Sequence, residues 1–173
     1  MAVHAGQARR YTDEPFVLHL VAVAHWDSEC ERDTLVLIAA LLHGVVEDTE
    51  VTAQDLADRF PASVVRMVLS LTNPSRPEDG NRATRKAIDH AHVEQREPRA
   101  QTIKYADVSL NVRSIAPHDP AFARHQQLPQ KTSLLERLDR GQPRLRRLVR
   151  DCINALSQER PAESVRNNLD KLE

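Results

Sequence analysis

The sequence is poor in aromatic residues, glycine and cysteine. Aromatic residues make up 3% of its 173 residues, so aliphatic side chains must fill any core. Four glycines, beside stretches rich in Leu, Ala, Arg and Glu, favour helices over sheets. Two cysteines are too few for a disulfide framework or a zinc knuckle and are typical of a reducing compartment. The composition therefore predicts an all-α, cytoplasmic protein.

The chain also lacks an excess of charge of either sign and a long apolar run. Its formal net charge of −1 excludes a generally basic nucleic-acid-binding surface. The longest apolar run, residues 35–42, is too short to span a bilayer, so we expect no membrane partner. Polar and charged residues follow Met1 closely, and we expect no secretory signal. A chain of this length normally forms one domain, and we expect a single helical domain over residues 1–173.

Apolar periodicity and turn residues divide the chain into helices. They predict helices over residues 4–9, 16–27, 31–47, 82–94 and 100–115. A short helix is expected after Asp119, and Pro129 should limit it. Gly141 and Pro143 separate two amphipathic C-terminal segments, with Leu145, Leu148, Cys152 and Leu156 on one predicted apolar face. Self-association of the chain through this apolar face is one possibility.

The helix predicted over residues 31–47 ends in a histidine and two carboxylates. His43 and Glu47 are four residues apart, so a continuous helix would place them on one face, with Asp48 beside them. Histidine nitrogen binds Mn²⁺, Fe²⁺ or Zn²⁺, and carboxylates can position or deprotonate a water molecule. The alternative is a histidine at the edge of the core, followed by a solvated acidic helix end.

Polar residues also interrupt two other apolar helices. Asp107, Asn111 and Ser114 follow an i, i+4, i+7 pattern on one predicted helix, which is typical of a helix that lines a polar cleft. An ordinary exposed polar face would give the same pattern. His19 interrupts the apolar stripe of residues 16–27, where a lone histidine more often serves packing.

Several segments, in order, resemble the HD-domain hydrolases of RelA/SpoT type, particularly the small stand-alone alarmone hydrolases. They are HAGQARRYTDEPFVLH at residues 4–19, AALLHGVVEDT at 39–49 and KYAD at 104–107, the last followed by Asn111, Arg113 and Ser114. The basic segment GNRATRK at residues 80–86 precedes the third. The resemblance covers residues 4–115 and implies a compact helical HD fold, to which residues 120–173 would add C-terminal helices.

The resemblance implies one divalent metal, commonly Mn²⁺, and a set of residues around it. The ligands would be His19, His43 and Asp107, with Gly44 at the position where the family has the aspartate of its His-Asp pair. Glu47 and Asp48 would activate or orient the attacking water. The substrate-binding positions would be Arg9, Arg10, Arg82, Arg85, Lys86, Lys104, Asn111 and Ser114.

The implied reaction removes pyrophosphate from the 3′ position of ppGpp or pppGpp, the alarmones of the stringent response. Gly44 supplies no ligand atom, and in an uninterrupted helix it would cost about 1 kcal/mol relative to alanine. Three hypotheses follow. The protein is a metal-dependent phosphohydrolase of an alarmone or related phosphorylated nucleotide, a catalytically silent module that binds a nucleotide or a protein partner, or a hydrolase of another nucleotide such as NADPH or a nucleoside triphosphate.

Overall fold

The computed structural model describes residues 2–30, 32–95 and 97–158, and these ranges contain helices but no β-strand. The α-helices are α1 Phe16–Ser28, α2 Thr34–Leu42, α3 Val45–Asp48, α4 Ala53–Ala57, α5 Ala62–Leu71, α6 Arg82–Glu94, α7 Pro98–Ile115, α8 Pro120–Phe122, α9 Leu128–Arg137 and α10 Pro143–Gln158. A π-helical segment, Ala123–Gln127, joins α8 to α9. None of these helices is both long and apolar enough to cross a membrane.

Helix α7 lies at the centre of the molecule and packs against α1, α2, α5, α9 and α10. Its sequence places aliphatic and small side chains on all sides, and residues such as Ile103 and Ala106 are fully buried. Tyr105 is also fully buried, and its hydroxyl donates a hydrogen bond to the Leu138 carbonyl oxygen over 2.7 Å. Aliphatic residues thus form most of the core, as the scarcity of aromatics predicts.

The helices predicted over residues 16–27, 82–94 and 100–115 are confirmed as α1, α6 and α7. The helix predicted over residues 4–9 is wrong. Only a 3₁₀ turn, Ala2–His4, precedes a loop in which Gly6 has a φ of 78°. This loop is held by backbone pairing, because the Phe16 amide donates to the Gln7 carbonyl and the Arg9 amide donates to the Glu14 carbonyl.

The continuous helix predicted over residues 31–47 is also wrong. Helix α2 ends at Leu42, His43 is extended, and Gly44 has a φ of 81°, a left-handed conformation that glycine adopts without steric cost. Helix α3 then begins at Val45, and the amide of Asp48 donates to the Gly44 carbonyl. His43 and Glu47 therefore do not share the face of one helix, and Gly44 is not a helix-interior residue.

Two predictions in the C-terminal third also need correction. Pro129 does not limit a helix but lies in the first turn of α9, directly after the π-helical segment. In α10 the buried residues are Leu145, Val149 and Ile153, whereas Leu148 is 46% exposed. The buried face of α10 therefore passes through Val149 and Ile153 rather than through the predicted Leu148. Residues 159–173 of the predicted C-terminal helices lie outside the described ranges.

Candidate metal centre and adjoining cavity

Three helices bring two histidines and one aspartate together. His19 lies in α1, His43 directly follows α2, and Asp107 lies in the middle of α7. The Nε2 atoms of His19 and His43 lie 3.2 and 3.9 Å from Oδ1 of Asp107. One potential ligand atom from each residue lies within 4.8 Å of the other two. His19 and Asp107 are buried, and His43 is 8% exposed. The structure thus brings together the three ligands that the resemblance implies.

The hydrogen bond of His43 fixes which ring nitrogen faces this group. Its Nδ1 lies 2.6 Å from the carbonyl oxygen of Ala40, which can only accept, so Nδ1 carries the proton. Burial lowers the pKa of His43, so the ring is neutral at pH 7. The lone pair on Nε2 therefore points towards the group, in the tautomer that metal-binding histidines commonly use.

Asp107 is the hub of the polar contacts in this group. Burial alone would raise its pKa, but the charge of Lys104 and the hydrogen bond from His19 hold the pKa of Asp107 well below its usual value. Lys104 Nζ lies 2.6 Å from Oδ2, and the amide of Asn111 donates to Oδ1 over 2.6 Å. Asp107 is consequently ionised at neutral pH, as a carboxylate ligand must be.

The two carboxylates of α3 have different surroundings. The side-chain amide of Asn73 donates to Oε1 of Glu47 over 2.9 Å, and its backbone amide lies 3.4 Å from Oε2. The Asp48 carboxylate receives no hydrogen bond from the described residues. Partial burial raises the pKa of Asp48, and the charge of Glu47 adds to this effect. Both residues are exposed, and Asp48 lines the adjoining cavity.

A cavity of about 500 Å³ adjoins the group, within the size range of small-molecule sites. Five predicted site residues line it: Arg9, Arg10, Asp48, Asn111 and Ser114. Arg9 donates to the side-chain oxygen of Asn111 over 3.1 Å, which ties the cavity wall to the hydrogen bonds of Asp107. The Ser114 hydroxyl is buried and has no partner among the described residues.

Cations from α6 and α9 lie on another side of Asp107. Arg82 donates to Gln130 over 3.2 Å, and this bond joins the two helices. Lys86 pairs with Asp89 at 3.0 Å. Lys131, which the sequence analysis missed, lies close enough to Lys104 and to Asp107 for their charges to act on it. Burial, with the charge of Lys104 acting in the same direction, lowers the pKa of Lys131 to about 8.

Arg85 is the predicted site residue that the described contacts do not connect to the rest. It neither lines the cavity nor pairs with a described member of the site. Lys131 gave no signal in the sequence, because one lysine in an amphipathic helix is usually solvated. Gln7, in the loop before α1, was missed as well; its amide donates to the Asp48 carbonyl over 2.9 Å.

The fold and the site together define an all-α protein with a candidate two-histidine, one-aspartate metal centre beside a cationic cavity. A family model for the HD domain matches residues 1–134, which is more than half of the chain. The chain therefore belongs to the HD domain family.

Individual relatives match parts of the chain. The chain is 37% identical over 113 residues to a probable GTP pyrophosphokinase of Mycobacterium leprae, a match covering 65% of this chain and 14% of that protein. It is 46% identical over 65 residues to the bifunctional (p)ppGpp synthase/hydrolase SpoT of Escherichia coli strain K12, covering 38% of this chain and 9% of SpoT. The chain thus spans only 9% to 14% of the length of these two relatives.

Among solved structures, the chain is similar to a metazoan ortholog of SpoT that hydrolyses ppGpp. The TM-score is 0.79 with 26% sequence identity, and the match covers 89% of each chain. The helical HD fold that the sequence resemblance implies is therefore confirmed.

Proposed function

We propose that this protein is a metal-dependent phosphohydrolase that removes pyrophosphate from the 3′ position of ppGpp or pppGpp. The observation that carries the proposal is the buried group of His19, His43 and Asp107 beside a cavity with arginine, asparagine and serine on its walls. The likeness to a metazoan protein that hydrolyses ppGpp supports the choice of substrate. A cytoplasmic location, one domain over residues 1–173 and a role in the stringent response belong to the same proposal.

The residues of the group fit a divalent transition metal. Two imidazole nitrogens and one carboxylate oxygen lie within 4.8 Å of one another, and three protein ligands with an open position are typical of catalytic sites. We assign Mn²⁺ on the strength of the family resemblance. When bound, such an ion polarises a phosphoryl oxygen and favours deprotonation of a water molecule.

Cationic side chains are proposed to bind the phosphates. Lys104 and Lys131 lie beside Asp107, and Arg82 and Lys86 act electrostatically on Lys131. These four cations would offset the negative charge of the 3′ pyrophosphoryl group while charge develops on the ribose oxygen that leaves. Arg85 remains a weaker member of this proposed set.

The cavity wall is proposed to hold the nucleoside and the 5′ phosphates. Arg9, Arg10, Asn111 and Ser114 line it, and Arg9 donates a hydrogen bond to Asn111. The unpaired Ser114 hydroxyl can donate to, or accept from, a ribose hydroxyl. Arg10 also lies over the ring of Tyr11, 5.6 Å from its centroid, so a flat cationic and aromatic surface faces the cavity.

Glu47 and Asp48 are proposed to act on the attacking water. Glu47 is held by Asn73, whereas the Asp48 carboxylate receives no hydrogen bond from the described residues. Replacing Glu47 by glutamine preserves the hydrogen-bonding shape but removes the charge that accepts a proton. Loss of one general base typically costs roughly 10²–10⁴-fold in rate.

The experiment is incubation of the full chain with ppGpp and Mn²⁺, followed by separation of the nucleotide and pyrophosphate products. We expect GDP and pyrophosphate in equal amounts, no reaction with a chelator, and a much slower reaction with Glu47→Gln. Tight binding of ppGpp without turnover would refute the proposal and favour the silent-module hypothesis. Turnover of NADPH or a nucleoside triphosphate in place of ppGpp would favour the third hypothesis.

A further inference from the structure

The space beside Gly44 is filled by a side chain from the following helix. A Cβ atom built on Gly44 would lie 2.8 Å from Oδ2 of Asp48 and 3.9 Å from its Cγ. The first of these distances is shorter than real Cβ contacts. The Asp48 carboxylate thus lies where a side chain at position 44 would begin.

We infer that Asp48 supplies the carboxylate that Gly44 lacks and is the fourth protein ligand of the metal, beside His19, His43 and Asp107. The inference rests on the proposed function only for the presence of a metal at this group. It changes the role of Asp48 from a residue that acts on water alone to a ligand. Since a carboxylate has two oxygens, ligation by one leaves the other able to accept a hydrogen bond from water.

The backbone explains why Asp48 can reach this position. Helix α3 is a single turn that begins after the left-handed Gly44, and the Asp48 amide donates to the Gly44 carbonyl over 2.8 Å. Gln7 donates to the Asp48 carbonyl over 2.9 Å, which fixes the end of the turn from the other side. Residue 48 is therefore held over residue 44 by its backbone, while its carboxylate receives no hydrogen bond from the described residues.

Charge and hydrogen bonding favour Asp48 over Glu47 for this role. Both Glu47 oxygens face Asn73, whereas the Asp48 carboxylate has no hydrogen-bond donor among the described residues. The charges of Asp107 and His19 act on Asp48, so its carboxylate lies near the group although it is not one of the three close ligands.

A fourth, negatively charged ligand would restore the carboxylate charge that is missing at Gly44. The set of His19, His43 and Asp107 carries one negative charge, and Asp48 adds a second, which matches the charge of a divalent ion. Hard ions such as Mn²⁺ prefer carboxylate oxygens, so the added carboxylate should strengthen binding considerably.

The test measures the affinity for Mn²⁺ alone, without nucleotide, by the electron paramagnetic resonance signal of the free ion. We expect Asp48→Asn to raise the Kd for Mn²⁺ by roughly 10- to 100-fold, since even residues that only contact metal ligands have effects of that size. Glu47→Gln is the matched control, because it removes the same charge one residue away, and its Kd should change by less than about threefold if ligation rather than charge matters. Far-ultraviolet circular dichroism verifies that both variants are folded.

A rescue experiment tests the shared space directly. In the Asp48→Asn background, Gly44→Asp should recover most of the lost affinity, because the carboxylate then comes from position 44. Mn²⁺ binding by Asp48→Asn that equals that of the unaltered chain would overturn the inference, as would no Mn²⁺ binding by the unaltered chain. If Asp48→Asn weakens Mn²⁺ binding but the unaltered chain does not hydrolyse ppGpp, only the proposed function is refuted. If the chain hydrolyses ppGpp but Asp48→Asn leaves the Kd for Mn²⁺ unchanged, only this inference is refuted.

Discussion

Gly44→Ala distinguishes a left-handed glycine from a glycine inside a helix. If residues 31–47 formed one helix, alanine would stabilise the protein by about 1 kcal/mol, because glycine is the poorer helix former. The structure gives Gly44 a φ of 81°, where alanine suffers a clash between its Cβ and its own backbone. A helix-interior Gly44 therefore predicts that Gly44→Ala stabilises the protein, whereas a left-handed Gly44 predicts that it destabilises the protein.

The magnitude follows from the backbone conformation and one contact. A non-glycine residue in the left-handed region costs roughly 1–2 kcal/mol. The contact of the new Cβ with Oδ2 of Asp48, at 2.8 Å, adds little, because that atom is the free end of a flexible side chain that can rotate away. For a chain of this size, a loss of 1–2 kcal/mol lowers the Tm by roughly 2–8 °C.

The assay is urea unfolding of the metal-free protein, followed by circular dichroism, together with a thermal scan. Gly6→Ala is the matched control, since Gly6 also has a positive φ, of 78°, and a Cβ there would meet nothing within 4 Å. Both variants should be less stable than the unaltered chain. A Gly44→Ala variant that is more stable than the unaltered chain would refute the left-handed turn and the shared space beside it.

Three further predictions concern the core and the site. Tyr105→Phe removes the donor to the buried Leu138 carbonyl and should lower the free energy of unfolding by about 1–3 kcal/mol in urea, so an unchanged midpoint would contradict that contact. Asp107→Asn should abolish Mn²⁺ binding measured calorimetrically, and retention of affinity would exclude this aspartate as a ligand. Lys131 is protonated below its pKa of about 8, so ppGpp affinity at fixed Mn²⁺ should fall as pH rises through 8. The fall should be absent in Lys131→Met, and an identical pH profile for that variant would refute a role for this lysine in binding.

Much of the fold and of the metal group was predictable from local patterns. The helical spacing of their apolar residues predicts α1, α6 and α7, although α6 stays largely exposed and α7 is buried on several sides. The i, i+4 spacing of Asp107 and Asn111 predicts a shared polar face, and the structure has a 2.6 Å hydrogen bond between them. The meeting of His19, His43 and Asp107 followed from the resemblance, since no local rule relates three separate helices.

The misplaced elements share a physical cause, which is that tertiary contacts outweighed local propensity. Residues 35–42 favour a helix that could continue, but the extended His43 and left-handed Gly44 let the imidazole bond the Ala40 carbonyl and face Asp107. A single glycine within an apolar stretch does not reveal such a turn. Lys131 was missed for a related reason, since its burial depends on α6 and α7, which are distant in the sequence.

The measurement that tests the central claim most directly is ppGpp hydrolysis by the full chain titrated with Mn²⁺, with bound metal quantified in the same samples. The account predicts that pyrophosphate release rises in proportion to bound Mn²⁺ and saturates at one ion per chain. It also predicts that a His43→Ala variant shows neither bound metal nor release. Pyrophosphate release by metal-free protein, or one equivalent of bound Mn²⁺ with no release, would contradict the account.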